Sequence, residues 1–431
     1  MTYSSEGLGK MTRTFHDLYR NHLIRSPYLH EKRPILINNW EATYFDFDEK
    51  KLLEIAEEAS ELGIEMLVMD DGWFGKRSMD DSSLGDWYVN EEKLKGGLNA
   101  LVENVKQTGM KFGIWVEPEM ISPESELYRK HPDWAIQIPG RDITQSRAQY
   151  VLDLSREEVA DEVYEMIAAV LRSADISYVK WDMNRQIATM GSSSLPDDRQ
   201  GELAHRYILG VYRMQERLIT DFPELLLENC ASGGGRFDPG MLYYSPQIWC
   251  SDDTDAVERL AIQEGTAMLY PVSAIGAHVS VCPNHSVGRT TPFETRGDVA
   301  LLGTFGYELD ITKLSPEEKD LVKVQVEKYH KYNDLIREGD YYRLASAAEN
   351  RYYDSWMIVE KDKSRALLFY VQVMARANAK SRFIRLAGLD PERRYEAEGK
   401  EYTGNTLMQA GIRIPAEFGD FKSRLIEIRG R

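Results

Sequence analysis

The sequence predicts an α/β protein, a (β/α)8 TIM barrel followed by a small C-terminal antiparallel β-sandwich domain. From residue 34 onward, apolar runs alternate with amphipathic helical patterns. The runs are continuous, which is typical of strands buried on both faces of a parallel sheet. Most of them stop at polar or acidic residues, as expected when the C-terminal ends of the strands face one shared pocket. This pattern favours a closed barrel over a doubly wound sheet.

Eight β-then-α units are predicted for the barrel. The helix over residues 50–62 is indicated by apolar residues at helical spacing and by Gly63, a residue that favours a helix C-terminus. The strands are predicted at residues 34–40, 64–73, 111–119, 150–154, 178–182, 225–229, 247–250 and 274–281. The other helices are predicted at residues 98–107, 156–173, 203–219, 256–268 and 316–337.

The chain is expected to contain three parts. Residues 1–33 form a lead-in segment without a core of its own, and residues 34–339 form the barrel. From residue 340 to 431 the helical periodicity disappears, and three short apolar runs are separated by turn residues. These runs predict the antiparallel strands of a second domain, at residues 367–373, 381–386 and 425–429.

Composition excludes several classes of partner. The 431 residues include 53 basic and 70 acidic ones, a formal charge of −17, and such a field repels nucleic acid and anionic membrane surfaces. No apolar run approaches the roughly 20 residues that span a bilayer. The three cysteines predict neither a disulfide framework nor a metal cluster, and we expect a cytoplasmic protein. They are Cys230, Cys250 and Cys282.

Asp182 ends an apolar run and has Lys180 two residues before it. By the alternation of side chains along a strand, both point to the same side, which in a barrel is the pocket. A neighbouring ammonium keeps a carboxylate ionised, the state that a nucleophile needs for attack on an anomeric carbon. The alternative interpretation is a surface ion pair.

A second acidic cluster, residues 251–255, follows the run at 247–250 and holds three carboxylates within four residues. Crowding of like charges raises the pKa of a carboxyl group, as a general acid requires. The alternative is a helix N-cap for residues 256–268, and Thr254 or Asp253 is the expected cap while another carboxylate reaches inward. Two carboxylates from separate strand ends are the minimum equipment for cleaving a glycosidic bond. Together with Asp182, the cluster predicts a sugar-cleaving enzyme.

Asp70 and Asp71 end the second predicted strand. Adjacent carboxylates either ligate a divalent cation or accept paired hydrogen bonds from the vicinal hydroxyls of a sugar. We favour the sugar, because three tryptophans end neighbouring strands and aromatic rings suit the apolar faces of pyranosides. These are Trp40, Trp73 and Trp115.

Other polar residues leave alternatives open. Glu117 and Glu119 end the third predicted strand and would serve as another catalytic pair or as metal ligands. The glycine-rich stretch 230–236 lets the backbone approach a ligand, but it lacks the lysine of a phosphate-binding loop. Within it, Cys230 is either a wall of the pocket or a small buried hydrophobe. The histidines show no ligand spacing and are interpreted as structural, including His205, His278 and His285.

Six motifs together resemble glycoside hydrolase family 36, the bacterial α-galactosidases, in the order of that family. They are residues 37–43 (INNWEAT), 70–75 (DDGWFG), 115–119 (WVEPE), 180–185 (KWDMNR), 228–230 (ENC) with 233–239 (GGGRFDP), and 251–255 (SDDTD). The resemblance implies a retaining, cofactor-free double displacement on terminal α-galactosides such as melibiose and raffinose. Asp182 corresponds to the nucleophile and Asp252 to the acid/base.

The same resemblance implies the sugar contacts. Asp70 and Asp71 correspond to carboxylates that bind the C4 and C6 hydroxyls, and Cys230 corresponds to a wall near the C2 hydroxyl. Ser232 and Gly233 belong to the same loop. The remaining expected contacts are Trp40, Trp115, Arg147, Lys180 and Asn184.

One departure from the family is expected to matter. Family members carry an N-terminal β-sandwich domain before the barrel, and this chain begins where that domain would end, as in a truncated or naturally short form. The missing domain contributes to oligomer contacts, so a homo-oligomer is an open expectation. The competing hypotheses are galactosyl transfer, cleavage of α-N-acetylgalactosaminides, a non-catalytic galactoside-binding protein, and a metal-dependent hydrolase built on Asp70, Asp71, Glu117 and Glu119.

Overall fold

The computed structural model describes residues 4–431 and contains a closed barrel of eight parallel strands. The strands are β1 (Leu36–Asn38), β2 (Met66–Met69), β3 (Lys111–Val116), β4 (Tyr178–Trp181), β5 (Leu226–Asn229), β6 (Gln247–Trp249), β7 (Ile275–Ser280) and β8 (Thr304–Glu308). Each strand pairs with its neighbours in chain order, and β8 closes the barrel by pairing with β1. The predicted fold class is confirmed.

The prediction of the fourth strand is wrong. Tyr150–Val151 pairs antiparallel with Met120–Ile121 in a separate two-stranded sheet outside the barrel. Val151 and Leu152 are buried there, and the Ile136 amide donates to the Val151 carbonyl. The run predicted as the fifth strand is therefore β4, and the carboxylates predicted at strands five and seven follow β4 and β6.

The true last strand, Thr304–Glu308, was missed in the sequence. Gly303 and Gly306 interrupt its apolar run, and in the helix before it, Phe293–Ala300, only Glu294 is exposed, so the helix has no polar face that would give a periodic pattern. Gly306 is required because a Cβ there would lie 2.7 Å from a ring carbon of His278 on β7. Gly306 therefore has two effects: it interrupts the apolar run that would predict the strand, and it lets β8 pack against β7.

The helices pack their apolar faces onto the barrel. In Glu157–Arg172, for example, Val163 and Ile167 are buried one helical turn apart. The other long helices are Leu8–Leu18, Glu49–Glu61, Gly97–Gln107, Leu203–Asp221, Ala256–Ala267, Phe293–Ala300 and Pro316–Glu338. The short helices are Trp40–Thr43, Glu126–Lys130, Pro239–Leu242, Ala347–Asn350 and Gly404–Gln409. None of the helices within residues 4–431 is long and apolar enough to cross a bilayer.

Residues that precede the barrel pack against it. Tyr19, Ile24 and Leu29 are buried in the same apolar cluster as the barrel strands. The buried ring of His16 lies 2.8 Å from the Ala267 carbonyl through Nε2. Burial lowers the pKa of His16 to about 3, so the ring is neutral near pH 7.

The C-terminal region contains a six-stranded antiparallel sheet and a two-stranded sheet. Their strands are β9 (Asp340–Ala345), β10 (Tyr353–Val359), β11 (Arg365–Gln372), β12 (Arg382–Ile384), β13 (Arg394–Ala397), β14 (Lys400–Thr403), β15 (Ile412–Ile414) and β16 (Lys422–Gly430). The large sheet has the order β9-β10-β11-β16-β13-β14, and β12 pairs with β15. The two layers enclose one apolar cluster that includes Leu368, Ile384 and Ile412.

The opposite face of the large sheet joins the barrel. Along β11, Leu368 and Tyr370 face the second layer, whereas Leu367 and Phe369 belong to the cluster that includes the barrel core. This alternation follows from the two-residue period of a strand. The strand β11 is therefore buried on both of its faces.

Candidate active site

The C-terminal ends of the barrel strands surround a pocket of about 260 Å³. Small-molecule sites occupy roughly 300–1,000 Å³, so this pocket suits a small ligand such as one sugar unit. Asp182, which follows β4, and Asp252, which follows β6, both line it. The other residues predicted for the site that line the pocket are Trp40, Asp70, Asp71, Trp115, Arg147, Lys180 and Asn184.

Asp182 is buried and held by four neutral donors. Its Oδ2 accepts from Trp115 Nε1 at 3.1 Å and from Asn184 Nδ2 at 2.8 Å. Its Oδ1 accepts from the backbone amides of Met183 at 2.8 Å and Ser232 at 3.4 Å. These donors come from three different strand ends and fix the orientation of the carboxylate in the pocket.

Lys180 lines the same pocket, but its ammonium bonds to Asp70 rather than to Asp182. The distance from Lys180 Nζ to Asp70 Oδ2 is 3.0 Å, and Asn38 Nδ2 donates to the same oxygen at 2.6 Å. Burial lowers the pKa of Lys180, but the charges of Asp70 and Glu308 outweigh this and raise it above its usual value. The alternative of a surface ion pair is wrong, since Lys180 and Asp182 are both buried.

Asp71 is bound by Arg77, a residue that the sequence did not single out. Arg77 Nε and Nη2 donate to the two carboxylate oxygens, each at 2.7 Å. Burial raises the pKa of Asp71 even though the Arg77 charge opposes the change. Within residues 4–431 no group of three or more His, Cys, Asp or Glu side chains is arranged to hold a metal ion.

Two of the three tryptophans face the pocket. Trp40 and Trp115 line it, whereas Trp73 is fully buried and donates from Nε1 to the Trp115 carbonyl at 2.8 Å. The prediction of Trp73 as a third sugar platform is therefore wrong. The residue supports the backbone of β3 instead.

Asp252 is exposed toward the open pocket, and protein surrounds its other sides. Trp249 Nε1 donates to its Oδ1 at 3.1 Å. Partial desolvation, and then the charge of Asp182, raise the pKa of Asp252 to about 6. The expected rise is thus present, but its causes are desolvation and then the charge of Asp182, rather than crowding by adjacent acids.

The acidic cluster starts a helix through Asp255, not through the predicted Thr254 or Asp253. The Asp255 side chain accepts from the amides of Val257 and Glu258, the first-turn donors of the helix Ala256–Ala267. Thr254 Oγ1 instead donates to Glu41 Oε1 at 2.6 Å. Asp255 lies three residues after Asp252, so the carboxylate that caps the helix is not the one that lines the pocket.

Glu117 and Glu119 lie behind the pocket wall and do not line it. Glu117 accepts from Asn184 at both oxygens, from the backbone amide at 2.5 Å and from Nδ2 at 3.1 Å. Burial, and then the Asp182 charge, raise the pKa of Glu117 to about 8. Glu119 is a structural acceptor whose donors are Arg236, Trp181 and Tyr207.

The glycine-rich loop contacts Asp182 through the Ser232 amide, but Cys230, Ser232 and Gly233 are not among the residues that line the pocket. The Gly233 amide donates to Cys230 Sγ at 3.4 Å, and Ser232 Oγ donates to Asn184 Oδ1 at 3.0 Å. Burial, followed by the Asp182 charge, raises the pKa of the Cys230 thiol, so the thiol is neutral near pH 7. A Cβ at Gly233 would lie 2.6 Å from Ser251 Cα, so only glycine lets this loop contact the one that carries Asp252.

Several pocket residues were missed or assigned otherwise. His285, interpreted as structural, lines the pocket and lies 3.3 Å from Glu41 through Nδ1. Glu41 and Glu308 are acids at strand ends, the same signal that identified Asp182, but Glu308 ends the strand that was missed. The other missed lining residues are Phe45, Asp80, Trp249 and Thr254.

Family comparisons agree with this geometry. The family model described as Melibiase matches residues 1–339, and the model of the glycosyl hydrolase family 36 C-terminal domain matches residues 353–428. The chain belongs to glycoside hydrolase family 36. This family 36 chain is 54% identical over 430 residues to the α-galactosidase AgaA of Geobacillus stearothermophilus, covering 100% of this chain and 59% of AgaA.

This chain also covers only part of the length of further relatives. The bifunctional α-galactosidase/sucrose kinase AgaSK of Mediterraneibacter gnavus is 53% identical over 417 residues, covering 96% of this chain and 44% of that protein. The crystal structure of AgaA matches with a TM-score of 0.98 over 100% of this chain and 60% of the other. Variants of AgaA in complex with raffinose and with stachyose also match with a TM-score of 0.98, at 53% identity and with the same coverage. The chain thus spans 59% of the length of AgaA.

Proposed function

We propose that this chain is a retaining α-galactosidase that hydrolyses terminal α-D-galactosyl residues of oligosaccharides such as melibiose and raffinose. The observation that carries the proposal is the shared pocket of Asp182 and Asp252. One carboxylate is buried and oriented by four neutral donors, and the other faces the pocket with a pKa raised to about 6. Such a pair, with different environments, suits a nucleophile and a general acid.

In the proposed first step, Asp182 attacks the anomeric carbon while Asp252 gives its proton to the departing oxygen. The covalent ester that forms removes the negative charge of Asp182. Because that charge is one cause of the raised pKa of Asp252, the pKa of Asp252 falls in the intermediate. Asp252 then serves as the base that takes a proton from the attacking water.

The proposed sugar contacts surround this pair. Asp70 and Asp71 each engage a cation, Lys180 or Arg77, and we assign them to the C4 and C6 hydroxyls. Cys230 is assigned to the wall near the C2 hydroxyl. The other assigned contacts are Trp40, Trp115, Arg147, Lys180, Asn184, Ser232 and Gly233. Apart from the galactoside, the proposed mechanism consumes only water, and it requires no cofactor.

The relatives support this substrate class. AgaA and AgaSK are described as α-galactosidases, and variants of AgaA have been crystallised with raffinose and stachyose. A depression of about 1340 Å³ adjoins the pocket at Phe45 and offers room for further sugar units. These points support small-molecule α-galactosides as the partners of this chain.

We also propose how the chain is organised and where it acts. Residues 34–339 are the proposed catalytic domain, residues 1–33 the lead-in segment and residues 340–431 the C-terminal domain. A cytoplasmic location is supported by three free cysteines, and the charge of −17 argues against nucleic acid and membrane surfaces as partners. Formation of a homo-oligomer is an open expectation, and size-exclusion chromatography with light scattering tests it.

The test of the function is hydrolysis of 4-nitrophenyl α-galactoside by the chain and by Asp182→Ala. We expect turnover by the chain and loss of activity in the variant, because the variant lacks the carboxylate that forms the covalent ester in the proposed mechanism. Asp253→Asn is the control, since Asp253 does not line the pocket. NMR of the first product distinguishes retention from inversion, and unchanged turnover in Asp182→Ala contradicts the proposal.

A further inference from the structure

Trp249, the last residue of β6, has no role in the mechanism above. Its indole is buried, with 2% of its surface exposed, and its edge lines the pocket. From there Nε1 donates to Oδ1 of Asp252, three residues later, at 3.1 Å. Within residues 4–431, Asp252 Oδ2 accepts no hydrogen bond. The two oxygens of the acid/base carboxyl are therefore not equivalent.

The Trp249 ring is locked in place from several sides. The Arg259 guanidinium lies 4.4 Å from the ring centroid, and the His278 ring lies 4.5 Å from it at 37°. Lys180 Nζ lies 5.7 Å from the same ring. On β7, a Cβ at Gly276 would lie 2.9 Å from Trp249 Cε3, so glycine is what leaves room for the indole.

Arg259 also holds the backbone on both sides of Asp252. Its Nη2 donates to the Ser251 carbonyl and its Nε to the Asp253 carbonyl, each at 2.6 Å. Its Nη1 donates to the Gly276 carbonyl at 3.0 Å. One guanidinium therefore anchors both the loop that carries Asp252 and the indole that binds its carboxyl group.

We propose that Trp249, fixed by Arg259, is a positioning residue that directs the catalytic proton of Asp252 to Oδ2. An indole N–H only donates, so the oxygen that accepts it is the unprotonated one. The inference rests on the proposed function. In the first step the proton leaves Oδ2 for the departing oxygen, which keeps the electron pair of the broken C1–O bond. In the second step Oδ2 takes a proton from water.

Removing this N–H has a specific kinetic consequence. In Trp249→Phe the proton occupies either oxygen and the indole no longer fixes the orientation of the carboxyl group, so both the site of the proton and its direction become less favourable. Hydrolysis of melibiose, whose sugar leaving group requires protonation, should suffer more than that of 4-nitrophenyl α-galactoside, whose leaving group departs as a stable anion. We expect the ratio of kcat/KM for melibiose to kcat/KM for 4-nitrophenyl α-galactoside to fall about tenfold. This is a part of the rate factor of about 10²–10⁴ that general acids contribute.

The pH profile provides a second readout. The indole N–H stabilises the ionised form of Asp252, so its removal should move the alkaline limb of kcat/KM to higher pH. Infrared titration of the Asp252 carboxyl, with Asp252→Asn subtracted, measures the same shift without activity. If Trp249 had only a structural role, Trp249→Phe would change neither the ratio of the two kcat/KM values nor the pH of the alkaline limb.

Trp181→Phe is the matched control. Trp181 is also a buried indole at the end of a barrel strand, and its Nε1 donates to the Glu119 carboxylate at 2.9 Å. It does not line the pocket. The control should lose a comparable hydrogen bond and stability, yet keep the ratio of the two substrates and the position of the alkaline limb.

The outcomes separate the inference from the function. A chain that hydrolyses neither substrate overturns the proposed function and the inference with it. An active chain whose Trp249→Phe variant keeps the ratio and the limb overturns the inference alone. If that variant does not fold, as judged by circular dichroism, Arg259→Lys replaces it. The shorter lysine cannot hold both the loop and the ring, so the ratio should fall, and an unchanged ratio overturns the inference.

Discussion

Asp182 and Asp252 carry the same chemical group but differ in their surroundings. Asp182 is buried among four neutral donors, whereas Asp252 faces the pocket with a single indole donor. The roles follow from these environments, because an oriented anion suits attack and a carboxyl of raised pKa suits proton donation. At the residue scale, hydrogen-bond geometry separates two chemically identical side chains.

The pH dependence of activity should report on Asp252. Its pKa is raised to about 6, and only its protonated form acts as the general acid, so kcat/KM for melibiose should fall as pH rises through about 6. Asp252→Asn should remove this limb and reduce kcat/KM by about 10²–10⁴. Rate measurements from pH 4 to pH 9 check this, with Asp253→Asn as control. Survival of the limb in Asp252→Asn would assign it to another group.

Glu117 should matter through Asn184. Glu117→Ala leaves the backbone amide of Asn184 without its acceptor and Nδ2 with Asp182 as its remaining acceptor, a cost of about 1–3 kcal/mol, and about 1.4 kcal/mol corresponds to tenfold in rate. We expect kcat on 4-nitrophenyl α-galactoside to fall about tenfold. Since the pKa of Glu117 is raised to about 8, Glu117→Gln keeps a neutral side chain of similar size with one acceptor oxygen for Asn184, and it should lose less activity at pH 7 than Glu117→Ala. Equal losses in both variants would argue against this role.

At the scale of elements, polar side chains cap the N-termini of several helices and fix where those helices begin. Pro316–Glu338 starts with a capping box, in which the Glu318 amide donates to Ser315 Oγ at 3.2 Å and the Ser315 amide donates to Glu318 Oε2 at 3.0 Å. Its inner face buries Val322 and Val326 against the barrel. The cap therefore fixes the start of the helix that connects the barrel with the C-terminal sheet.

Removing this cap should have a measurable cost. Ser315→Ala deletes the acceptor for the Glu318 amide, and we expect the free energy of unfolding to fall by about 1 kcal/mol. Ser315→Asp supplies another acceptor at the same position and should recover most of the loss. Urea denaturation followed by circular dichroism measures both variants. Equal stability of Ser315→Ala and the parent chain would show that the cap does not contribute.

At the scale of the whole molecule, the barrel and the C-terminal sheet share a core. Trp356 and Phe369 stack with ring centroids 5.1 Å apart, on the face of the sheet that packs into the barrel cluster. Arg20, from the segment before the barrel, donates to the carbonyls of Arg337 and Gly339 at the junction of the two regions. Separation of the two regions would expose a large apolar surface.

We expect one calorimetric unfolding transition for the intact chain. Phe369→Ala should destabilise the chain by about 3–5 kcal/mol, because it leaves a cavity in the shared core. Phe383→Ala is the control, since the Phe383 side chain is 63% exposed and its loss should change stability little. Differential scanning calorimetry measures both. Two separate transitions in the intact chain would contradict a shared core.

Much of the architecture was predictable because the signals are local in the chain. Continuous apolar runs predicted parallel strands, and the acids after two of these runs identified Asp182 and the cluster at residues 251–255 as candidates, whereas the selection of Asp252 within that cluster came from the resemblance to family 36. Loss of helical periodicity near residue 340 predicted the antiparallel region. Apart from that selection, each inference uses only neighbouring residues, whose spacing and burial are linked by the geometry of a helix or strand.

Tertiary structure alone decided which distant groups meet. It assigned Tyr150–Val151 to a separate two-stranded sheet and Thr304–Glu308 to the barrel, and it paired Lys180 with Asp70. It also placed Asp182 where its charge raises the pKa of Asp252. Such contacts depend on strand order and register across the closed barrel, and no local spacing encodes them. Local patterns therefore determined the elements and the candidate acids, whereas closure of the barrel determined the partners and the chemistry of each acid.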